Sequence, residues 1–413
     1  MASTRKSYLA IIKEASTATA VKPTNFIKYK DGDILLAQEI IENNPICSNR
    51  WNPITAVPGK ITTDGTFNVD TDVREAVWWL YGALGSVSSA DISSLTDGSV
   101  YTHTITTADT LPSFTVEQGK GNLADGTGTN NGQTYSVERS FGVLVDSFTL
   151  SASDALVNLE VNVKAHGIFQ KSDLISDAAA GSSVDLSLES VEGLTTADTV
   201  NIYDSTPQNE ADAIASINTT AKTIQIATLG NSYTVANSAK VELAPQTPSY
   251  TDQKIFSFTH ASFQFGANLT AAASAAEENV ENWEFTYENQ LEERFGSLRS
   301  SPSVIAPKGA QAMLSYTKYF ENVADRDRYL NQTRQACILT LTNNEIVSAT
   351  DTNEAKYTVK IEMSDLRFTT YEMPTGTDEL YIVNMEATCF YDSTDGRAVR
   401  ILVTNDEDGT AYA

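Results

Sequence analysis

This sequence is poor in the residues that carry redox, metal or hydrolytic chemistry. Its 413 residues include three cysteines (Cys47, Cys337 and Cys389) and three histidines, and none of them has metal-ligand spacing. So few cysteines, in an odd number, predict a chain folded in a reducing compartment, with the thiols as small buried groups. Since Gly-x-Ser-x-Gly and zincin motifs are also missing, we expect neither an enzyme nor a cofactor or metal.

Two short motifs offer weak exceptions. The stretch "EQGKGN" (117–122) resembles a phosphate loop but lacks its five-residue frame and the Ser or Thr after the lysine. The stretch "ADGTGTNNG" (124–132) could bind Ca²⁺ through Asp125, although a hairpin tip explains its composition better. Neither motif changes the expectation.

Long apolar runs and positive charge are scarce as well. No run approaches the ~20 residues of a membrane span. The N-terminal run of about five is shorter than the roughly 7–15 of a secretory signal, so we expect no signal peptide and no membrane association. Fifty-three acidic against 28 basic residues give a net charge of −25, and such a surface does not hold phosphates. Solubility or a saline habitat also explains this acidity.

What the sequence has in abundance is alternation. Thr, Val, Ile, Tyr and Phe alternate with polar residues, which predicts strands such as 59–70, 141–153, 282–289, 312–322 and 357–363. Acidic residues at the beginning of two segments predict helices. The first helix is expected at 71–85, capped by Thr71 or Asp72 and ended by Gly85, and the second at 324–332. The chain is therefore predicted to be mainly β.

Residues 176–246 differ in composition from the rest. They contain no Trp, Cys, Met or Phe, and turn residues separate about five short strands. The connectors "FQKSDLISDAAAGSS" and "APQTPSYTDQ" flank them. We predict a small inserted all-β domain over 171–249.

Around this insert, two parts repeat one order of features. Each has a strand, a long loop, an alternating strand, an acidic-start helix, a short strand and then a long strand pair. The last pair contains "NLEVN" (158–162) in the first part and "NMEAT" (384–388) in the second. This order predicts a duplicated module.

The first part resembles the tail tube proteins of long-tailed phages. The resemblance rests on "EIIENNPICSNRWNPITAVPGKITTDGTFNVDTDVREAVWWLYGALG", "LPSFTVEQGKG" and "FGVLVDSFTLSASDALVNLEVNVKAHG", and on "FTYENQLEERFGS" in the second part. It implies a β-sandwich flanked by a helix, whose inner strands join edge to edge around a channel. Six modules complete such a ring, so two modules per chain imply a homotrimeric, pseudo-hexameric ring.

The expected fold is therefore two tail-tube-type β-sandwich modules, each flanked by a helix, plus the inserted domain. The expected boundaries are an N-terminal arm (1–22) reaching a neighbour, module 1 (23–170), the insert on the tube exterior (171–249), module 2 (250–405) and a C-terminal tail (406–413).

Under this resemblance, the polar faces of alternating strands line the channel. The channel residues would be Lys60, Thr62, Asp64, Asn68, Asn158, Glu160, Asn162, Glu284, Asn384, Glu386 and Thr388. These faces could instead be ordinary solvated outer surfaces of a sandwich. The long loops 44–59 and 290–309 would mediate ring-to-ring contact, through Arg50, Trp51, Arg294, Phe295 and Arg299; self-contained surface loops are the alternative.

The function expected from the resemblance is a major tail tube subunit of the virion, assembled in the host cytoplasm. Its partners would be further copies of itself, tail terminator and tail-tip proteins, and DNA that passes through without specific binding. The alternative from another class is a surface adhesion or carbohydrate-binding β-protein with the insert as its binding module.

Overall fold

The computed structural model describes residues 7–43, 55–93, 100–121, 135–153, 155–206, 208–297, 299–348, 354–374, 381–408, 410 and 412. Strands dominate, as the alternation predicts. In the N-terminal part they are β1 (Tyr8–Lys13), β2 (Asn25–Ile27), β3 (Asp31–Asn43), β4 (Thr55–Asp70), β5 (Gly85–Asp91), β6 (Tyr101–Thr107), β7 (Phe114–Gly121), β8 (Tyr135–Ala152), β9 (Asn158–Lys164) and β10 (Gly167–Phe169).

The remaining strands follow in two groups. The middle group is β11 (Lys171–Asp173), β12 (Gly181–Ser187), β13 (Thr199–Tyr203), β14 (Asn209–Asn218), β15 (Thr223–Leu229) and β16 (Lys240–Leu243). The C-terminal group is β17 (Ala261–Gly266), β18 (Glu277–Glu278), β19 (Asn282–Glu288), β20 (Leu291–Arg294), β21 (Val304–Pro307), β22 (Gln311–Tyr319), β23 (Gln335–Ile346), β24 (Lys356–Glu372), β25 (Ile382–Phe390) and β26 (Val399–Asn405).

Most strands join one large antiparallel sheet in which two pairing orders correspond. In the N-terminal half the order is β3–β4–β9–β8–β7–β1–β2, with β10 also on β8. In the C-terminal half it is β19–β22–β25–β24–β23–β17–β18, with β26 also on β24. The two halves are joined where β8 pairs with β19 and where β26 pairs with β6.

The long strands β8 and β24 connect the layers of each half. The first part of β8 pairs with β7 and its last part with β9, and a register shift separates Val145 from Ser147. In β24 the corresponding shift lies between Phe368 and Thr370. Such irregularities bend a strand, so one chain segment serves two layers that enclose a common apolar core.

The helices α1 (Ala76–Leu84) and α3 (Ala324–Leu330) lie within the predicted ranges, and a short α2 (Leu269–Ala273) was not predicted. Asp72 Oδ1 accepts hydrogen bonds from the backbone N–H groups of Arg74 and Glu75, so it closes the turn before α1. Gly85 ends α1 with a φ of 102°, a conformation that favours glycine. Every residue of α1 is buried, whereas only Asp325 of α3 is.

The middle strands form a separate sheet in the order β11–β16–β13–β14–β15–β12, with its own apolar core. Its entry and exit strands are neighbours, since Lys171 lies opposite Glu242. Residues 171–243 therefore leave and rejoin the large sheet at one place.

The two chain ends differ from the expected arm and tail. Tyr8–Lys13 is not a free arm: β1 pairs with both β2 and β7, and Tyr8, Leu9 and Ile11 are fully buried. The prediction of an arm is thus wrong for these residues, because pairing inside the sheet satisfies their backbone groups. At the other end Tyr412 is buried and donates a hydrogen bond from its hydroxyl to the Arg74 carbonyl.

Candidate functional site

The polar residues expected to act together lie on one face of the large sheet. In β9, Asn158, Glu160 and Asn162 are partly exposed, while Leu159 and Val161 are buried. The same alternation occurs in β19 and β25. A strand with one wet and one packed face gives this period of two.

The strand registers connect these polar positions across both halves. Glu160 lies opposite Asn68 on one side and Thr149 on the other, and Thr149 lies opposite Thr286. Glu386 lies opposite Ser315, which lies opposite Glu284. Since directly opposed residues share a face, Glu160 and Glu386 lie on one continuous surface. Thr62, Asp64, Asn162, Asn384 and Thr388 occupy the same phase of their strands, whereas Lys60 lies within the register shift between Pro58 and Ile61.

Neighbouring polar side chains on this surface bind one another. The Thr66 hydroxyl donates to Asn162 Oδ1 at 2.6 Å, and Asn162 Nδ2 donates to the Ser147 hydroxyl at 3.0 Å. The Thr370 hydroxyl donates to Glu386 at 2.8 Å. Lateral hydrogen bonds of this kind restrict the rotamers, so the surface is ordered as well as polar.

A depression opens on this surface. It has a volume of about 660 Å³ and is lined by Asn158, Asn282, Glu284, Thr317, Asn384 and Glu386, among others. Its charged groups are carboxylates, and its remaining polar groups are amides and hydroxyls.

Three lysines on or beside this face are engaged by their own chain. The Lys30 ammonium lies 2.5 Å from Asp70 Oδ1 and 3.5 Å from Asn158 Oδ1. The Lys60 ammonium lies 4.9 Å from the centre of the Phe295 ring. Lys164 donates to the Leu291 carbonyl at 2.8 Å and lies 3.3 Å from Asp146. These cations therefore have nearby partners other than a phosphate.

The sequence matches a known protein family. A family model of phage tail tube proteins matches residues 4–278, which is 275 of 413 residues. The chain belongs to the phage tail tube protein family. No curated protein matches the chain. As a member of this structural family, the protein is a component of the phage tail.

Within this tail tube protein, the residues predicted for ring-to-ring contact have different surroundings. Arg50 and Trp51 lie outside the described residues. Arg294 and Arg299 are exposed, and Phe295 is half-buried. The loop 44–59 is shorter than expected, because residues 55–59 belong to β4.

The loop 290–309 is also more ordered than expected and packs on the N-terminal half of its own chain. Its strands β20 and β21 form a hairpin. Leu291 and Ile305 share a small core with Leu111 and Leu144, and the Ile61 N–H donates to the Ser300 carbonyl at 2.8 Å. This loop therefore helps to join the two halves.

The prediction missed a buried charged cluster formed by Arg139, Glu117 and Asp198, each about 1–2% exposed. A signal was present: in "YSVERSFGV" the arginine shares its strand phase with Tyr135, Val137 and Phe141, all of which face a core. An arginine on an apolar phase predicts a buried partner. Burial opposes the charge of Arg139, but its hydrogen bonds to Asp198 and the charge of Glu117 outweigh it and raise the guanidinium pKa.

Two other classes of site are not apparent. No helix among the described residues is long and apolar enough to span a membrane. In that same part of the chain, no three His, Cys, Asp or Glu side chains are grouped to hold a metal ion. Cys337 and Cys389 are buried free thiols, as predicted, and burial raises both thiol pKa values.

Proposed function

We propose that this protein is the major tail tube subunit of its virus. It would form stacked rings around a channel for genome delivery, assemble in the host cytoplasm and meet tail terminator and tail-tip proteins at the tube ends. The polar sheet face, whose opposed residues connect Glu160 to Glu386 across both halves of the chain, is the observation that supports this proposal best.

We infer that the chain carries two tube modules, and the matching pairing orders support this. One sequence of seven strands occurs twice, in β3–β4–β9–β8–β7–β1–β2 and in β19–β22–β25–β24–β23–β17–β18. With two modules per chain, three chains supply six modules, and the proposed ring is a homotrimer.

The pairing of β8 with β19 inside the chain serves as a template for the contact between chains. It joins module 1 to module 2 through Ser147–Ala152, with the Thr149 and Thr286 hydroxyls 3.1 Å apart. The counterpart of this β8 segment is the end of β24, and the counterpart of β19 is β3. Among the described residues, the end of β24 pairs only with β25, and β3 only with β4. We therefore propose that β24 of one copy pairs with β3 of the next.

The template also gives the register. Thr149 lies opposite Glu160, just as Thr370 lies opposite Glu386. Thr286 lies opposite Met313, which lies opposite Thr388. In the same way, Asp33 lies opposite Thr66, which lies opposite Asn162. Asn162 and Thr388 both lie two residues after the central glutamate. In the proposed ring, Thr370 of one copy thus lies opposite Asp33 of the next.

Closing the ring would put the polar face around the bore. Lys60, Asn68, Asn158, Glu160, Glu284 and Glu386 would then be lumen-facing, as expected from the sequence. Carboxylates repel phosphates, and Lys30, Lys60 and Lys164 have local partners, so DNA would pass without specific binding.

The hairpin of β3 and β4 is the proposed contact between stacked rings. Beyond the paired body of the sheet it exposes Ile40 (68%), Ile41 (50%) and Val57 (56%). Apolar side chains this exposed favour a partner surface. Arg50, Trp51, Arg294, Phe295 and Arg299 remain the proposed polar and aromatic contacts there. The insert, attached at the start of β8 away from the polar face, is proposed to lie outside the tube.

Cross-linking tests the ring directly. In a Cys47→Ser background, Asp33→Cys with Thr370→Cys should give covalent dimers and trimers under oxidation, together with rings of three copies in electron micrographs. The control pair Thr149→Cys with Thr286→Cys should link only within one chain. Monomers with no inter-chain link at any concentration would refute the proposal and favour a solitary β-protein.

A further inference from the structure

The joint between the insert and module 1 contains an arginine that is bound from both sides. Arg139 of β8 donates from Nη1 and Nη2 to Asp198 of the insert, at 2.6 and 2.8 Å. It also donates from Nε and Nη2 to Glu117 of β7, at 2.9 and 2.6 Å. A fifth bond runs from Nη1 to the Gly193 carbonyl at 3.0 Å. Bidentate contacts between a guanidinium and a carboxylate fix both the distance and the relative angle of the two groups.

The two carboxylates are themselves fully engaged. Glu117 Oε1 accepts from the Tyr8 hydroxyl at 2.6 Å and from Gln246 Nε2 at 2.8 Å. Asp198 Oδ2 accepts from the Thr195 N–H at 2.7 Å. Four parts of the chain therefore meet here: the N-terminal strand, the tube sheet, the insert and the connector that leaves the insert.

Apolar packing crosses the same joint. Tyr135 and Val137, at the start of β8, belong to the insert's core together with Leu186 and Ile202. Phe169, just before the insert, belongs to it too. The insert is thus attached by shared core and buried charge in addition to its two connectors.

We propose that the Arg139 cluster holds the insert in one fixed orientation on module 1. Arg139, Glu117 and Asp198 are each only about 1–2% exposed, so a pose that separated them would break a buried salt bridge and leave its charges without their partners. The chain consequently carries its insert as a rigid projection. This inference concerns the single subunit, and it holds whether or not the proposed rings form.

Distance measurements between spin labels test the orientation. The labels are placed at two exposed strand positions, Ala213→Cys in the insert and Ser88→Cys in β5, in the full-length Cys47→Ser protein. The parent should give one narrow distance distribution. Arg139→Met and Asp198→Asn should broaden it at least two-fold and speed amide exchange at Thr195 at least ten-fold.

Arg400→Met is the matched control, because Arg400 binds the buried Glu362 of the other half and does not contact the insert. It should leave the distribution and the exchange at Thr195 unchanged. Asp198→Asn leaves the Arg139–Glu117 pair intact, so it tests whether the Arg139 cluster fixes the orientation of the insert even if Arg139→Met does not fold. A distribution that stays narrow in Asp198→Asn, with exchange at Thr195 unchanged, would overturn the proposal.

Discussion

The last segments of β8 and β24 occupy corresponding places in the two halves but have different neighbours. Ser147–Ser151 of β8 is paired on both sides, by β9 and by β19. In the described part of the chain, Phe368–Glu372 of β24 is paired by β25 alone. The first segment lies in the interior of a sheet, and the second forms its edge.

This difference shows what the proposed duplication would add to the chain. One module-to-module contact is internal and is made on folding. The other exists only as two unmatched edges, β24 and β3, which a second copy could pair. Unpaired edges invite association, so the same strand type serves stability in one half and, as we propose, assembly in the other.

The largest effect should come from proline at matched positions in these segments. Leu150 lies opposite Leu159, and Tyr371 lies opposite Met385. Leu150→Pro would break pairing inside a doubly paired strand and should prevent folding. Tyr371→Pro, at an edge, should leave a folded subunit that forms no rings.

Circular dichroism melts and electron microscopy separate the two outcomes. Rings formed by Tyr371→Pro would contradict the role of the β24 edge. A normally folded Leu150→Pro would contradict the view that the β8–β19 contact belongs to the folded core.

The next effect concerns a buried charge at one ladder position of each half. In the N-terminal half it is Arg139, which needs Glu117 and Asp198. In the C-terminal half it is Glu362, bound by Arg400, Arg397 and Lys360. Arg139→Met should cost about 3–5 kcal/mol of unfolding free energy, because it leaves two buried carboxylates without their cation.

Arg400→Met should cost only about 1 kcal/mol, because Glu362 retains two cations and the site is partly exposed. Denaturant titrations give both values. Equal losses of unfolding free energy in the two variants would mean that the contact of Arg139 with Asp198 of the insert adds nothing to the stability of the N-terminal half.

A third contrast concerns the acidic residues at the starts of α1 and α3. Asp325 of α3 is bound by Lys318 and Arg328. Glu75, before α1, is buried beside Asp72, and burial with that neighbouring charge raises its pKa to about 8. The folded state therefore keeps a proton that the unfolded chain loses near pH 4.5, and stability falls as the pH rises from there through about 8.

Glu75→Gln should remove this pH dependence. The amide oxygen introduced by this substitution can still accept the bond that the Lys28 N–H gives to Glu75. The variant should match the parent at about pH 4 and exceed its stability at about pH 9 by on the order of 2–4 kcal/mol. Melting curves at both pH values measure this, and a parallel decline in parent and variant would exclude Glu75 as its source.

The sequence predicts local structure well and long-range pairing poorly. The alternation in "NLEVNVK" and the helix stop at Gly85 are local signals, and both agree with the structure. The burial of Tyr8–Lys13 depends on β7, about a hundred residues away, and no local pattern reports that partner. Composition alone suggested a polar arm.

The candidate site divides in the same way. Period-two spacing identified which side chains share a polar face, because this property belongs to single strands. The Arg139 cluster and the Lys60–Phe295 contact combine distant segments, so spacing could not assign them. The sequence still contained one signal for Arg139, because the alternate positions on its side of the strand are otherwise apolar.

The smallest effect concerns two glutamines that cover the unmatched edges. Gln118 binds the Ile34 N–H at 3.3 Å and the Gly32 carbonyl at 3.2 Å on β3, and Gln332 donates to the Phe368 carbonyl at 3.0 Å on β24. A pairing strand would have to displace both. Gln118→Leu and Gln332→Leu should therefore lower the protein concentration needed for ring formation about three-fold each, since one weak hydrogen bond is worth roughly 0.5–1 kcal/mol. Sedimentation across a dilution series measures this concentration. A higher value in both variants would mean that the amides support the edges for pairing, rather than protect them until a partner arrives.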